Sequence, residues 1–231
     1  MTDGLRGRLR AAAEPAAALL FAGGLLRLLF LGSRSVWSDE GSTLMLAGVP
    51  LSRLAGYLAR DEIMPPLFAV LMHFWVRLFS DPKIAIRLFS ASCGIAALVV
   101  FRGLVGRSLP PKARAFALFL AAASSYWIHL AQDGRMYGLL TLLSVVQARI
   151  VFELSERPSA RLWAGYAAIA AAGLYTHYYF AVMLAVHASW LIWNGRRAPR
   201  VLASCAAAHA AAAAAVWPGV HQQAAQNRGA R

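Results

Sequence analysis

Apolar residues run along this chain in long uninterrupted stretches, without the alternation of a half-buried strand. Runs suited to membrane spans cover Glu14–Gly32, Ala85–Gly106, Ala113–Ala131, Met136–Leu154, Leu162–Tyr175, Tyr178–Asn194 and Val201–Trp217. Most approach the roughly 20 residues needed to cross hydrocarbon, and the short fifth run predicts a helix that extends past it. Leu67–Phe79 is different: a helix of that length rises only about 20 Å, against a core of about 30 Å. It reads as an interfacial or re-entrant segment. The pattern predicts an all-α, polytopic transmembrane bundle of about seven spans.

Charge sets the orientation. With a cytoplasmic amino terminus and Leu67–Phe79 not spanning, three basic loops fall on the cytoplasmic side, as the positive-inside rule requires. They hold Arg107, Lys112 and Arg114 with Arg102 close by, then Arg157 and Arg161, then Arg196, Arg197 and Arg200. A spanning Leu67–Phe79 would put every later basic loop outside. Residues 33–84 therefore form one long extracytoplasmic loop, and Gln132–Arg135, Thr176–Tyr179 and the tail from Pro218 surface on the same side. Trp37, Trp127 and Trp217 then mark the outer interface and Trp163, Trp190 and Trp193 the inner one.

The long loop has its own order. Leu44, Ala47, Leu51, Leu54 and Leu58 recur at spacings of three and four, interrupted by Gly48 and Pro50, which predicts two short amphipathic helices in the membrane surface. Pro65-Pro66 opens the Leu67–Phe79 helix and Ser80-Asp81-Pro82 ends it.

Composition agrees with a membrane protein. Of 231 residues, 59% are hydrophobic and only 14% charged, well below the quarter or so of a soluble domain. The net charge of +13 comes from Arg residues scattered between apolar runs, with no continuous basic face, which excludes a nucleic-acid partner. Arg6, Arg8 and Arg10 before the first run, without a small-x-small cleavage site, predict an uncleaved signal anchor. Cys93 and Cys205 lie within apolar runs and read as small hydrophobes.

Candidate chemistry concentrates on the outer side. Asp39 and Glu40 follow Trp37-Ser38; they are either a solvated, dipole-favoured first helical turn or a reactive acidic pair. Asp133 and Arg135 stand with Tyr137 on the turn between two spans, as a polar turn or as a place where a guanidinium meets phosphate. His177 sits in the knot Tyr175-Thr176-His177-Tyr178-Tyr179, as a belt residue or a phosphate or sugar contact. His73 on the short helix, and His129, His187 and His209 within spans, have no partner readable from sequence. No His and acid pair stands at metal-ligand spacing; Asp39, Glu40 and Asp133 are candidate oxygen ligands for a divalent cation such as Mg or Mn.

Several of these segments, in this order, resemble a known family: Trp37-Ser38-Asp39-Glu40, Pro65-Pro66-Leu67-Phe68 before His73-Phe74-Trp75, Arg87-Leu88-Phe89-Ser90-Ala91, Asp133 to Leu140, and Thr176-His177-Tyr178-Tyr179. Together they are similar to the amino-terminal half of bacterial membrane glycosyltransferases of the C-type, protein-mannosyltransferase-like class. The resemblance runs from about Leu26 to Trp217. It implies a polyprenyl-phosphate sugar donor and a lipid, glycan or protein acceptor at the extracytoplasmic face of the cell membrane, with inversion. By position, Asp39 matches the catalytic acid of the first loop and Glu40 its neighbour. Asp133 and Arg135 match the second-loop motif, with Tyr137, His177 and His73 as further substrate contacts. Two departures stand out. The family usually has His before the Pro-Pro pair, where this chain has Met64, leaving His73 or Arg60 to compensate. Its members are also longer, which implies that this chain is a first module truncated at the carboxyl terminus. The alternatives are a transporter or flippase-like protein, which would place ionisable residues face to face at mid-membrane, and a non-catalytic scaffold.

Overall fold

A computed structural model describes residues 2–60, 65–195 and 203–214. Among them every regular element is helical: α1 (Thr2–Leu28), α2 (Ser38–Gly48), α3 (Leu51–Arg60), α4 (Leu67–Trp75), α5 (Pro82–Ser108), α6 (Pro111–Ala123), α7 (Ser125–Gln132), α8 (Tyr137–Glu156), α9 (Ala160–Thr176), α10 (Phe180–Gly195) and α11 (Ala203–Ala214). Met64, the turn with Arg196, Arg197 and Arg200, Trp217 and the tail from Pro218 lie outside the described residues, as do the ends of the Val201–Trp217 run.

The centre is α5, packed along α8 on one side and along α1, α6 and α7 on the other. Its start is fixed locally: the Asp81 carboxylate accepts the Lys83 and Ile84 N–H groups at 2.9 and 3.2 Å, and Pro82 occupies the first turn. Helices α9 and α10 complete the bundle against α8. Gly138 lets α8 approach α5 so closely that a Cβ there would lie 2.6 Å from the Ser90 carbonyl.

By length and apolarity α5 and α8 each qualify to cross a bilayer. The run read as one span over 113–131 forms two helices, α6 and α7, that are together long and apolar enough to cross a membrane and are bent by 47° at the break between them. Ser124 breaks it, with ψ near 114° and its hydroxyl accepting the Trp127 N–H. The carbonyls of Ala121 and Ala122, left without helical partners, accept from the fully buried Arg27 guanidinium at 3.1 and 3.2 Å. Apolar but shorter helices cover Pro15–Leu28, Leu67–Leu78, Phe180–Asn194 and Ala203–Ala214, and α9 extends two residues before the fifth run and one beyond it.

Between α1 and α5 the chain forms α2, α3 and α4, with a break at Val49–Pro50 between the first two. Leu46, Leu54, Leu58 and Ala69 make a small core among these three helices. The expected stripe is only partly the buried one: Ala47, Leu54 and Leu58 are buried, but Leu51 is half exposed and Leu46 takes the inner position. The break resets the helical phase, so a stripe continued through it does not stay on one face. Helix α4 ends in a 3₁₀ turn at Val76–Leu78, and the Trp75 indole N–H donates to the Ala85 carbonyl at 2.8 Å, tying it to α5.

Candidate functional site

The acidic pair is divided by its helix. Ser38–Gly48 turns Glu40, Thr43, Leu46 and Ala47 inward, so Glu40 is buried while Asp39, one residue earlier, keeps 43% of its side chain exposed. Glu40 meets Arg87, from the second turn of α5, through both oxygens: Nε to Oε1 at 2.7 Å and Nη2 to Oε2 at 2.5 Å. The Gly134 N–H adds a third bond to Oε1 at 2.9 Å. Burial pushes the Glu40 carboxyl upward, but the Arg87 guanidinium and the Gly134 and Trp37 backbone N–H groups outweigh it and hold the carboxyl below its ordinary value. The remaining Arg87 donors go to the carbonyls of Leu31, Arg34 and Ser35. One ion pair thus fastens the end of the first long helix, α2, α5 and the 133–135 turn to each other.

Arg135 projects from that turn toward Asp39. Its Nη1 donates to the Asp39 carbonyl at 2.9 Å and to the Thr43 hydroxyl at 3.4 Å, and Nη2 lies 4.0 Å from Asp39 Oδ2. The turn is held from below by the Ser90 hydroxyl, which donates to the Arg135 carbonyl at 2.8 Å. Arg135 is 7% exposed and lines a narrow cleft with Thr43, Leu46, Leu58, Pro65 and Phe68.

His177 closes the same side. Its ring packs against Tyr137, centroids 6.3 Å apart, and against Tyr179 at 4.9 Å. The Tyr179 N–H donates to Nδ1 at 3.1 Å, so the neutral ring carries its proton on Nε2. Burial, then the Arg135 charge, lower its pKa from the ordinary histidine value. Asp39 and Arg135 are therefore in contact, as are Tyr137 and His177, and the Arg135 charge reaches the His177 ring.

Asp133 is not in this group. Two residues before Arg135 in an extended turn, it lines a different cavity of about 470 Å³ between the end of α1 and α7. It is 7% exposed, and Trp37 Nε1 donates to its Oδ1 at 3.2 Å. Burial pushes its carboxyl up, the Glu40 charge adds to this, and the Trp37 N–H opposes it. His73, on the inner face of α4, is buried against Phe74 with no partner for Nδ1. No contact joins it to Asp39 or Arg135.

The three acids considered for a divalent cation do not form one ligand set. Glu40 is committed to Arg87 and Gly134, and Asp39 and Asp133 face different spaces; among the described residues no group of three or more His, Cys, Asp or Glu side chains converges to hold a metal ion. Sequence reasoning missed the role of Arg87. Its motif was noted, but only a charge so near the start of an apolar run signalled a buried acidic partner. It also missed the pairing of His209 Nε2 with the Tyr166 hydroxyl at 3.0 Å, across α9 and α11.

Residues 64–219 match the family model described as dolichyl-phosphate-mannose-protein mannosyltransferase. That stretch includes Arg87, Asp133, Arg135 and His177 and begins after Asp39 and Glu40. No curated protein and no solved structure matches the chain.

Proposed function

The chain belongs to the dolichyl-phosphate-mannose-protein mannosyltransferase family, and from that premise we propose that it transfers a glycosyl group from a polyprenyl-phosphate sugar to an acceptor hydroxyl at the extracytoplasmic face of the cell membrane. The family itself is one of membrane glycosyltransferases of the mannosyltransferase type, with a lipid-phosphate sugar as donor. Acceptor identity, inversion and the roles below are this reading's own.

Asp39 is the general base. It takes the proton of the acceptor hydroxyl as that oxygen attacks the anomeric carbon. The bond from that carbon to the phosphate oxygen breaks, and the lipid phosphate leaves with the electron pair. Negative charge therefore grows on the leaving phosphate, where Arg135 and the Nε2–H of neutral His177 act as donors. Tyr137 packs His177 in place.

The observation that carries this reading is the docking of Arg135 on Asp39. A half-exposed carboxylate and a buried guanidinium meet at 4.0 Å, on a platform fixed from beneath by Glu40 and Arg87. Base and phosphate donor are thus presented together at one end of the bundle. A non-catalytic scaffold gives no reason for that pairing, although the separate position of Asp133 is what a scaffold would show.

Orientation follows from charge: the end bearing Asp39 is extracytoplasmic and the end where Arg107 meets Glu153 is cytoplasmic. The test is Asp39→Asn in membranes supplied with defined polyprenyl-phosphate sugars. Transfer is expected to fall at least about a hundredfold, in the range of general-base loss, with membrane insertion unchanged. Transfer at the unaltered rate would overturn the assignment.

A further inference from the structure

The end of the bundle opposite Asp39 carries a basic corner that the transfer reading leaves without a task. Helix α5 leads into α6 through only Leu109 and Pro110. This brings the last two turns of α5, with Arg102, to the same corner as the first turn of α6, with Lys112 and Arg114. All three side chains are exposed. Counterions are scarce, because no acid occurs in the sequence between Asp81 and Asp133. Glu153 and Glu156, across on α8, are taken by Arg107 at 3.2 and 3.5 Å, and Glu153 also by Arg149 at 3.1 Å.

Arg102 and Lys112 make no hydrogen bond or ion pair among the described residues. Arg114 is held differently. Its Nε donates to the Leu109 carbonyl, which fixes the guanidinium over the turn and leaves its two Nη groups without a partner among the described residues. That planar pair suits two oxygens of one phosphate. Lys112 and Arg114 also stand where the helix dipole disfavours cations, and the turn has neither an acid nor a side-chain cap to offset them. An anion seated at the corner removes that conflict.

The surface beneath the corner says what carries the anion. Positions four, seven and eight residues on from Lys112 share its helical face, and they hold Phe116, Phe119 and Leu120, all well exposed. Charge therefore heads an apolar stripe about 12 Å long. A free anion would use the corner alone, and an acidic protein has nothing to lay along a stripe that a span keeps in hydrocarbon. A phospholipid matches both parts. Orientation by charge needs only basic residues in the loop; it does not call for an open arginine fork above an exposed aromatic stripe.

We propose that Arg102, Lys112 and Arg114 bind the phosphate of an anionic diacyl phospholipid, with its acyl chains along Phe116, Phe119 and Leu120. Along the α5 axis the corner lies about 30 Å from Arg87 and the platform beneath Asp39. The lipid site therefore stands whether or not Asp39 is a base.

The full chain in phosphatidylcholine nanodiscs, doped with a phosphatidylglycerol carrying a diazirine in one acyl chain, tests this directly. Labelled peptides are mapped by mass spectrometry. Labelling is expected along residues 112–123, competed by unlabelled phosphatidylglycerol, and at least about tenfold weaker with a phosphatidylcholine bearing the same diazirine chain. Each of Arg102→Gln, Lys112→Gln and Arg114→Gln is expected to weaken labelling about fivefold, the worth of one basic side chain at an anionic leaflet, and the three together about a hundredfold. The double variant Arg157→Gln, Arg161→Gln alters the next basic loop and is expected to label as the unaltered protein does. Equal labelling by the two probes, or an equal loss in the Arg157 and Arg161 variant, means general surface charge and overturns the proposal. Competition by glycerol 3-phosphate, a head without chains, overturns the lipid as the source of the phosphate. The two probes compared on the unaltered protein decide the matter even if the triple variant does not fold.

Discussion

Glu40 and Arg87 are joined through two carboxylate oxygens and two guanidinium nitrogens, at 2.7 and 2.5 Å, with neither side chain more than 4% exposed. A pair this deep is costly to assemble, because both charges leave water, but more costly to break, because one charge then stays buried alone. Arg87→Ala or Glu40→Ala is expected to destabilise the protein by about 3–5 kcal/mol. Replacing both by apolar residues of similar size should cost clearly less than the two single losses added. Unfolding in detergent, run as a double-mutant cycle, measures the coupling. Simple additivity would mean that the pair is not the clamp described.

Gly134 is a second point of intolerance. Its φ is not positive, so it is not there for backbone freedom; it is there because nothing larger fits. A Cβ would lie 2.5 Å from Ile86 Cδ1, 2.7 Å from Ile86 Cγ1 and 3.0 Å from Glu40 Oε1. Ile86 is fully buried and has little room to yield. Gly134→Ala is expected to cost about 1–3 kcal/mol by overpacking. Ile86→Val removes the nearest atom and should return part of that loss, which thermal unfolding of the single and double variants measures.

Arg27 holds the bend between α6 and α7. Its guanidinium donates to Ala121 and Ala122 on one helix and to Gly23 on its own, placing positive charge at a helix carboxyl end, where the dipole favours it. Arg27→Met keeps most of the volume and removes the donors. A loss of about 1.5–3 kcal/mol is expected, the usual worth of hydrogen bonds to a charged group. Because Gln132 at the end of α7 also donates to the Leu26 and Leu29 carbonyls, a shifted bend would alter cross-linking between cysteines placed at Leu29 and Gln132.

The helices were legible because burial in lipid or protein writes itself as uninterrupted apolarity, and because Gly48, Pro50, Pro65 and Pro82 punctuate the chain where helices begin or end. The break at Ser124 was not legible. The pair Ser124-Ser125 in an apolar run is a weak helix-stop signal, and the group that satisfies the freed carbonyls is Arg27, nearly a hundred residues away. The same limit applies to the site. Position alone grouped Asp39, Arg135 and His177 at the same ends of the apolar runs, and the structure docks Arg135 on Asp39. It could not show that Asp133 turns the other way, since that depends on an extended turn and on Gly134 lying against Ile86. Nor could it show that Glu40 is buried against Arg87, because Arg87 looked like one more basic residue among many.

His177 provides a test by pH. Burial, followed by the Arg135 charge, lowers its pKa below the ordinary value, so the folded ring is neutral near pH 7. An unfolded histidine takes a proton near pH 6.5. Below that point the unfolded chain binds more protons at this position than the folded one, and stability falls as pH falls until the folded ring is also protonated. At higher pH both forms are neutral and the residue adds no slope. Asp133 acts with the opposite sign: its raised carboxyl binds a proton in the folded state first, so acidification toward its folded pKa adds stability. His177→Gln keeps a polar side chain and removes the titration. Thermal midpoints compared between pH 7.5 and 5.5 are expected to fall more for the unaltered protein than for this variant. Equal falls would mean that His177 does not titrate below its ordinary range, and that its Nε2–H is not the neutral donor offered to a phosphate beside Arg135.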